Sequence, residues 1–338
     1  MRLKILFFLF FPSLVFSQKI NYDTAYIADY ANYLTLRGFF INKTNNFKIT
    51  KRGTMGEQSI SYKPNNDLSF GIGFNYKWLG INASVANVLS KDQNTYGSTS
   101  QIDLQAQVYA RKFIGEAHYI QYRGFYLDNP ETTVPNWEKG KNASRSDIKT
   151  FTMGVSLYYV LNNKKFSTRS ATLQNEIQKK RAGSLLLGAY HVFINFQSDS
   201  SMIPKGHEIT FKDQLLMRRY VALHTGLGAG YAYNLVIKKH FFFNISFIWG
   251  AGVQQKLVYN AEGKKEEQLA LSHKLNSRIA LGYHSKRFFV LLASNMDNYV
   301  LTKTEDLKAS YDTGTMRLVF GIRLENWKIW QKKSVKNS

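Results

Sequence analysis

The sequence predicts an all-β protein: an antiparallel transmembrane β-barrel of about 12 strands, within a range of about 10–14, carrying a short periplasmic helix segment. Three observations support this fold class. Apolar and polar residues alternate strictly along most of the chain, the alternating segments are even in number, and their connections alternate between short and long. Outer-membrane barrels combine strands of about ten alternating residues with short periplasmic turns and longer outer loops.

The composition excludes several other classes of protein. The 338 residues contain 24 Phe, 21 Tyr and 5 Trp, which are residue types that disordered segments lack. No uninterrupted apolar run of about 18 residues follows residue 17, so a bundle of membrane helices is excluded. The absence of cysteine removes disulfide frameworks and zinc–thiolate sites.

The N-terminus predicts a secretory signal peptide over residues 1–17. Arg2 and Lys4 precede the apolar run 5–16, and the small residue Ser17 follows it before Gln18. The alternative is a short membrane anchor, but the run is shorter than the roughly 20 residues of a membrane span. The expected location is therefore the bacterial outer membrane, reached across the inner membrane by means of a cleaved signal peptide.

Segment 68–78 illustrates the alternation, because its even-numbered residues are apolar or aromatic and its odd-numbered residues are small or polar. This pattern predicts a strand with one apolar and one polar face. The predicted strands are 33–42, 68–78, 80–89, 101–113, 116–127, 149–161, 184–197, 217–235, 240–254, 269–284, 287–300 and 314–325. A soluble sandwich would also alternate, but it would turn its apolar face inward.

Two turns are predicted from the strand phase. Leu79-Gly80 is expected to form a two-residue turn. A three-residue loop over 113–115, with a left-handed Gly115, would bring Asp103 and Arg123 together inside the barrel.

The predicted organisation is a periplasmic N-terminal segment over 18–30, a barrel over 31–325 and a basic tail over 326–338. Segment 170–181 has helical character and either plugs the lumen or forms a solvated periplasmic connector, and the connector is favoured. Within the long first loop, 43–67, two short stretches are expected to pair as an extension of the wall.

The strand phase directs a set of charged residues into the lumen. The expected lumen-lining basic residues are Arg37, Lys77, Arg111, Arg123, Lys274, Arg278, Arg317 and Arg323. Asp103 is the main inward acid, with Asp297 as a second candidate. Rings of Arg and Lys favour anions in a pore, whereas in a filled lumen the same cations would pair with carboxylates. The aromatic residues expected at the membrane interface are Trp78, Phe113, Phe241 and Phe289.

No catalytic site, metal site or cofactor is predicted. None of the seven histidines has a metal-ligand spacing, and His284-Ser285 is the only adjacent His–Ser pair. The predicted function is therefore non-enzymatic: a narrow pore favouring small anions, or a structural and partner-binding barrel. The alternative is an outer-membrane lipid-modifying enzyme, a Ser/His hydrolase or acyltransferase on a barrel. The net charge of +22 is spread over strands and turns, so nucleic acid is not an expected partner. The expected partners are outer-membrane lipid and lipopolysaccharide, small anionic solutes, and a periplasmic or envelope protein.

Three stretches carry a family resemblance: Asp23 to Ile27, Tyr62 to Asn66 continuing through Gly71 to Gly80, and Lys179 to Ser184. Together they resemble a Bacteroidetes family of outer-membrane barrels catalogued as a domain of unknown function. The resemblance covers most of the chain after the signal peptide. It implies the same fold and location, and it implies no activity and no catalytic residues.

Overall fold

The computed structural model describes residues 22–53, 56–66, 68–76, 79–89, 92–133, 137–138, 142–202, 217–260, 263, 265–303 and 307–325. The predicted signal peptide and basic tail lie outside the described residues, as do Lys77 and Trp78.

The described part of the chain is almost entirely β-structure. Its strands are β1 (Ile27–Asp29), β2 (Leu34–Gly53), β3 (Gly56–Lys63), β4 (Leu68–Tyr76), β5 (Leu79–Leu89), β6 (Ser100–Tyr109), β7 (Phe113–Leu127), β8 (Ser144–Val160), β9 (Glu176–Gln178), β10 (Ala182–Gln197), β11 (Met217–Ile237), β12 (Phe241–Asn260), β13 (Lys265–His284), β14 (Phe288–Lys303) and β15 (Leu307–Leu324). The helices are α1 (Gln93–Tyr96) and α2 (Pro130–Thr133). Of the helices described, none is long and apolar enough to cross a membrane.

Antiparallel hydrogen bonding closes the main sheet on itself. A ring of ten strands runs through β2, β3, β7, β8 and β10 to β15, and β15 pairs with β2 along its whole length, from Leu34↔Leu324 to Lys51↔Leu307. Inside hydrocarbon every backbone polar group needs a partner, and a closed sheet provides one. The predicted antiparallel barrel is therefore confirmed.

Three further strands extend this ring. The first half of β2 pairs with β4, and its second half pairs with β3. Strand β5 continues from β4, and β6 lies beside β7. In the described part of the chain, β5 is hydrogen-bonded only to β4 and β6 only to β7.

The barrel has two different ends. The turn end carries the short connections 110–112, 238–240 and 285–287, together with the start of β2 and the end of β15. The loop end carries the longer connections, such as 128–143 and 198–216. The hairpin of β2 and β3 extends the wall at the loop end, as predicted for 43–67.

The apolar face of the wall points outward. Ile72, Leu227 and Leu271 are 63%, 74% and 72% exposed, and comparable apolar side chains occupy the outer face of other strands of the wall. Polar and aromatic side chains fill the inner face, including the fully buried Thr152 and Tyr311. This arrangement is the opposite of a soluble barrel, and it suits a wall that is surrounded by lipid.

Both predicted turns are wrong in position. Leu79 and Gly80 belong to β5, since Leu79 pairs with Tyr76. The turn between β6 and β7 has two residues, Arg111 and Lys112, with Ala110 N donating to Phe113 O. The first error moves the turn by two residues and preserves the strand phase, whereas the second changes the phase of β7.

The interior at the loop end is packed with aromatic rings, which we call the aromatic roof: Phe47, Tyr62, Phe196, Tyr220, Tyr299 and Tyr311. The Phe196 ring lies 4.8 Å from that of Phe47 and 5.0 Å from that of Tyr311, measured between centroids. Rings from β2, β10 and β15 therefore meet across the lumen. Tyr220 Oη donates to the Leu301 backbone carbonyl at 3.0 Å, so its hydroxyl is also satisfied.

We expect Phe196→Ala to lower the free energy of unfolding by about 3–5 kcal/mol, because it leaves a cavity in a packed interior. Phe193→Ala is the matched control, since Phe193 faces the outer side of the same strand and is only partly buried. Urea titration of the folded barrel in lipid vesicles measures both values. Equal losses for the two variants would contradict a packed roof.

Candidate functional site

The turn end of the barrel is filled by a plug built from residues 22–33 and 162–181. Strand β1 pairs with β9, with Ile27 opposite Gln178 and Asp29 opposite Glu176. Residues 162–175 form successive turns. The predicted helix is therefore absent from 170–181, and the solvated connector favoured by the sequence is wrong, because Gln174, Asn175 and Glu176 are fully buried.

Buried polar contacts hold the plug against the wall. The carboxylate of Glu176 is paired with Arg111 and lies 3.1 Å from Arg169 Nη1. On the opposite wall, Arg323 Nε donates to the Gln174 backbone carbonyl at 2.6 Å. Asn234 Nδ2 donates to the Ser167 carbonyl at 2.8 Å. Buried polar groups need such partners, and here the plug and the wall satisfy each other.

A cavity of about 810 Å³, which we call the chamber, lies above the plug, and both inward-facing and outward-facing residues of the wall line it. Phe166, Ala171 and Leu173 of the plug contribute to its floor. Wall residues that line it include Arg37, Phe39, Asp103, His118, Arg278 and Arg317. Lys43 of β2 also lines the chamber. Asn45 is the next residue on the same face of β2, and its Nδ2 donates to the Tyr311 hydroxyl of the roof.

Three of the interior cations are paired with carboxylates. Lys43 Nζ lies 3.2 Å from Asp103 Oδ2, Lys274 Nζ lies 3.0 Å from Asp297 Oδ1, and Arg278 Nη2 lies 2.7 Å from Glu116 Oε2, so each charge is balanced inside the barrel. Removing one partner of such a buried ion pair strongly destabilises the protein, because the other charge stays buried without a countercharge.

Two interior cations have a different environment. Arg37 Nε donates to Asn82 Oδ1 at 2.8 Å, and its Nη2 donates to Asn75 Oδ1 at 3.2 Å. The Arg317 guanidinium lies 6.0 Å from the centroid of the Phe39 ring, and its Nε has no hydrogen-bond partner. Within the described residues, neither arginine has a carboxylate within ion-pair distance.

Gly73 makes room for Arg37. It lies directly opposite Arg37 on β4. A Cβ atom there would lie 2.2 Å from Asn82 Oδ1 and 3.0 Å from Arg37 Nε. Any larger residue at position 73 would therefore displace the amide that holds the guanidinium.

The structure distributes the predicted lumen residues in several ways. The chamber is lined by four of the described ones: Arg37, Asp103, Arg278 and Arg317. Lys274 is buried in the barrel interior, where it is paired with Asp297. Arg111 and Arg323 point inward but contact the plug. Whether any of these residues acts on a solute stays a prediction.

Arg123 does not line the lumen, which corrects the sequence prediction. It is exposed, while its neighbour Tyr122 is buried. The cause is the two-residue turn at 111–112, which pairs Asp103 with Ile120 and Ser100 with Arg123. The expected contact between Asp103 and Arg123 is therefore wrong.

Of the described aromatic residues predicted at the membrane interface, two lie on the outer surface and one lies inside the barrel. Phe113 and Phe241 are 42% and 49% exposed on the outer surface of the turn end. Phe289 is buried inside, where the Arg323 guanidinium lies 4.9 Å from its ring centroid, so its assignment to the interface is wrong. Strand β14 starts at Phe288, which takes the lipid side, and alternation then directs Phe289 inward.

Sequence reasoning missed Glu116 and Lys43 as interior partners. Glu116 follows from the correct turn between β6 and β7, because that register directs even-numbered residues of β7 inward. Lys43 follows from continuing the alternation of β2 beyond residue 42, where the predicted strand ended.

The adjacent His284 and Ser285 do not form a catalytic pair in the structure. Ser285 Oγ donates to the Phe288 carbonyl within its own turn, at 3.1 Å, while the His284 ring stacks on Phe242 inside the barrel. No group of three or more His, Asp or Glu residues that is suited to a metal occurs among the described residues.

Residues 21–323 match the model of a family described as Domain of unknown function (DUF4421), and the chain belongs to that family. No protein with a curated description matches it. Several solved barrels are similar in fold. The outer membrane protease OmpT of Escherichia coli has 7% identity and a TM-score of 0.37, covering 88% of this chain and 98% of its own. An outer membrane channel of Pseudomonas putida F1 has 7% identity and a TM-score of 0.28, covering 89% and 99%. The toluene transporter TodX of P. putida has 7% identity and a TM-score of 0.24, covering 88% and 93%.

We expect Glu176→Gln to loosen the plug, since it leaves Arg111 and Arg169 buried without a countercharge, at a cost of about 3 kcal/mol. Hydrogen exchange of the β1 and β9 amides should accelerate about 100-fold, while the barrel amides keep their wild-type rates. Glu131→Gln in the exposed part of α2 is the control. Unchanged exchange in the plug would contradict its electrostatic attachment.

Proposed function

We propose that this member of the DUF4421 family is a non-enzymatic outer-membrane barrel that binds a small molecule in its interior chamber. The observation that carries the proposal is a cavity of about 810 Å³ whose floor includes plug residues and whose walls carry Arg37, Arg278 and Arg317. Ligand sites in proteins commonly have volumes of about 300–1,000 Å³ and combine apolar walls with a few polar groups.

An open anion pore has less support than a chamber. A pore needs a continuous path lined by available charge, and here the roof rings meet across the lumen. Lys43, Lys274 and Arg278 are already balanced by carboxylates. The lipid-modifying enzyme also has little support, because Ser285 and His284 interact with different groups.

The proposed location and orientation follow from the two ends of the barrel. The outward apolar band favours contact with outer-membrane lipid, including lipopolysaccharide on the outer leaflet. In this orientation the turn end faces the periplasm, after export on the predicted signal peptide. Lys179, Lys180 and Arg181 are exposed there and offer a cationic surface to a periplasmic partner.

We expect the purified barrel to carry no steady current in planar bilayers, because plug and roof each interrupt the path. Replacing residues 164–180 with a short Gly-Ser turn removes the larger part of the plug but keeps the roof, and this variant should also be silent. Heat-modifiable migration on gels verifies that both proteins are folded. A steady anion-selective current through the wild-type protein would overturn the proposed chamber.

A further inference from the structure

The chamber extends through the wall between β5 and β6. Seven consecutive residues of β6, from Asp103 to Tyr109, line it, together with Ile81 and Asn82 of β5. A strand that closes a barrel presents every second residue to the interior, so consecutive lining residues mean that the cavity reaches around the edge of β6. The described β5 and β6 accordingly share no ladder hydrogen bonds.

The gap is limited toward the loop end. Tyr62 and Lys63 of β3 pair with Leu127 and Tyr126 of β7, which closes the ring above it. Asn66 Nδ2 donates to Gln101 Oε1 at 3.1 Å, a further link to the start of β6. The opening therefore lies lower in the wall, where the outer faces of the flanking strands are apolar.

The edges of the gap have two chemical characters. On the outer side, Ile81, Leu104 and Val108 are 48%, 63% and 59% exposed, and all three also line the chamber. On the inner side lies Asn82 with Arg37, and Arg317 lines the same chamber. Unpaired strand backbone is tolerated at membrane depth only where it lines a polar cavity or has another partner.

We propose that the chamber binds an anionic amphiphile, a single hydrocarbon chain that ends in a carboxylate or phosphate, and that this molecule enters from the membrane between β5 and β6. This inference rests on the proposed function of the chamber. The anionic group lies against Arg37 and Arg317, the two lining arginines without a carboxylate partner in the described residues. The chain lies along Phe39, Leu104 and Val108. Burying a guanidinium without a countercharge is costly, and an incoming anion supplies that countercharge.

Binding of radiolabelled palmitate and of lysophosphatidate to the delipidated full-length barrel tests the anion site. Wild-type protein should bind at least one of the two anions at one per barrel, and it should bind hexadecanol at least tenfold more weakly. Arg37→Gln and Arg317→Gln should each weaken binding by at least tenfold, and Arg317→Lys should restore part of it. Arg123→Gln removes the same charge from the outer surface and should leave binding unchanged.

Several results would overturn the anion site: no binding of either anion, equal binding of hexadecanol, or equal losses for Arg123→Gln and Arg37→Gln. These results would leave the chamber itself untouched. A steady current in planar bilayers is the separate result that would overturn the chamber. A barrel that is silent in bilayers and binds neither anion keeps its chamber and loses this ligand class.

The entry route has its own test, which uses the absence of native cysteine in the chain. Ser84→Cys on β5 and Gln105→Cys on β6 face the chamber from the two edges of the gap. Joining them with a bis-maleimide should slow palmitate uptake from vesicles by at least tenfold relative to the same variant capped with a mono-maleimide. Mass measurement identifies the cross-linked molecules, and an unchanged uptake rate in them would overturn lateral entry.

Discussion

Backbone hydrogen bonding in a medium without water is the constraint on which this structure depends. Each strand of the ring needs two neighbours at membrane depth, so β15 returns to β2 and pairs with it over its entire length. Closure then fixes two faces with opposite requirements. The outward face has to be apolar, and the inward face has to satisfy its polar groups within the protein. The plug, the roof and the interior ion pairs are all consequences of the second requirement.

The interior satisfies its charges unevenly. Glu116, Asp103 and Asp297 each balance a cation from another strand, and Glu176 balances two at the plug. Arg37 and Arg317 are instead surrounded by amides and an aromatic ring. Both arginines line the chamber beside the gap between β5 and β6, where the described strands share no ladder hydrogen bonds. The proposed binding site rests on that coincidence.

The sequence predicted the strands well, because period-two alternation is a local signal that each segment carries by itself. Twelve of the fifteen described strands match predicted segments. Interior assignments were less secure, because they depend on turn positions that alternation alone does not determine. The turn between β6 and β7 was predicted at 113–115 but lies at 111–112, which reverses the side chains of β7 that face the interior. Arg123 was therefore assigned to the wrong face and Glu116 was missed. The two-residue error at Leu79 left the faces of its strand unchanged. The sequence indicated the plug only as the less favoured alternative, because Glu176 acquires its role from Arg111, a residue far away in the chain.

The plug also constrains the order of events during assembly. Its two strands come from residues 27–29 and 176–178, so neither half exists as an ordered unit until about half of the chain is available. Ring closure requires β2 to find β15, whose residues follow at the far end of the chain. Contacts of such large sequence separation form slowly. The N-terminal segment therefore meets β9 only after residues 176–178 are available, and the ring closes only after β15 follows.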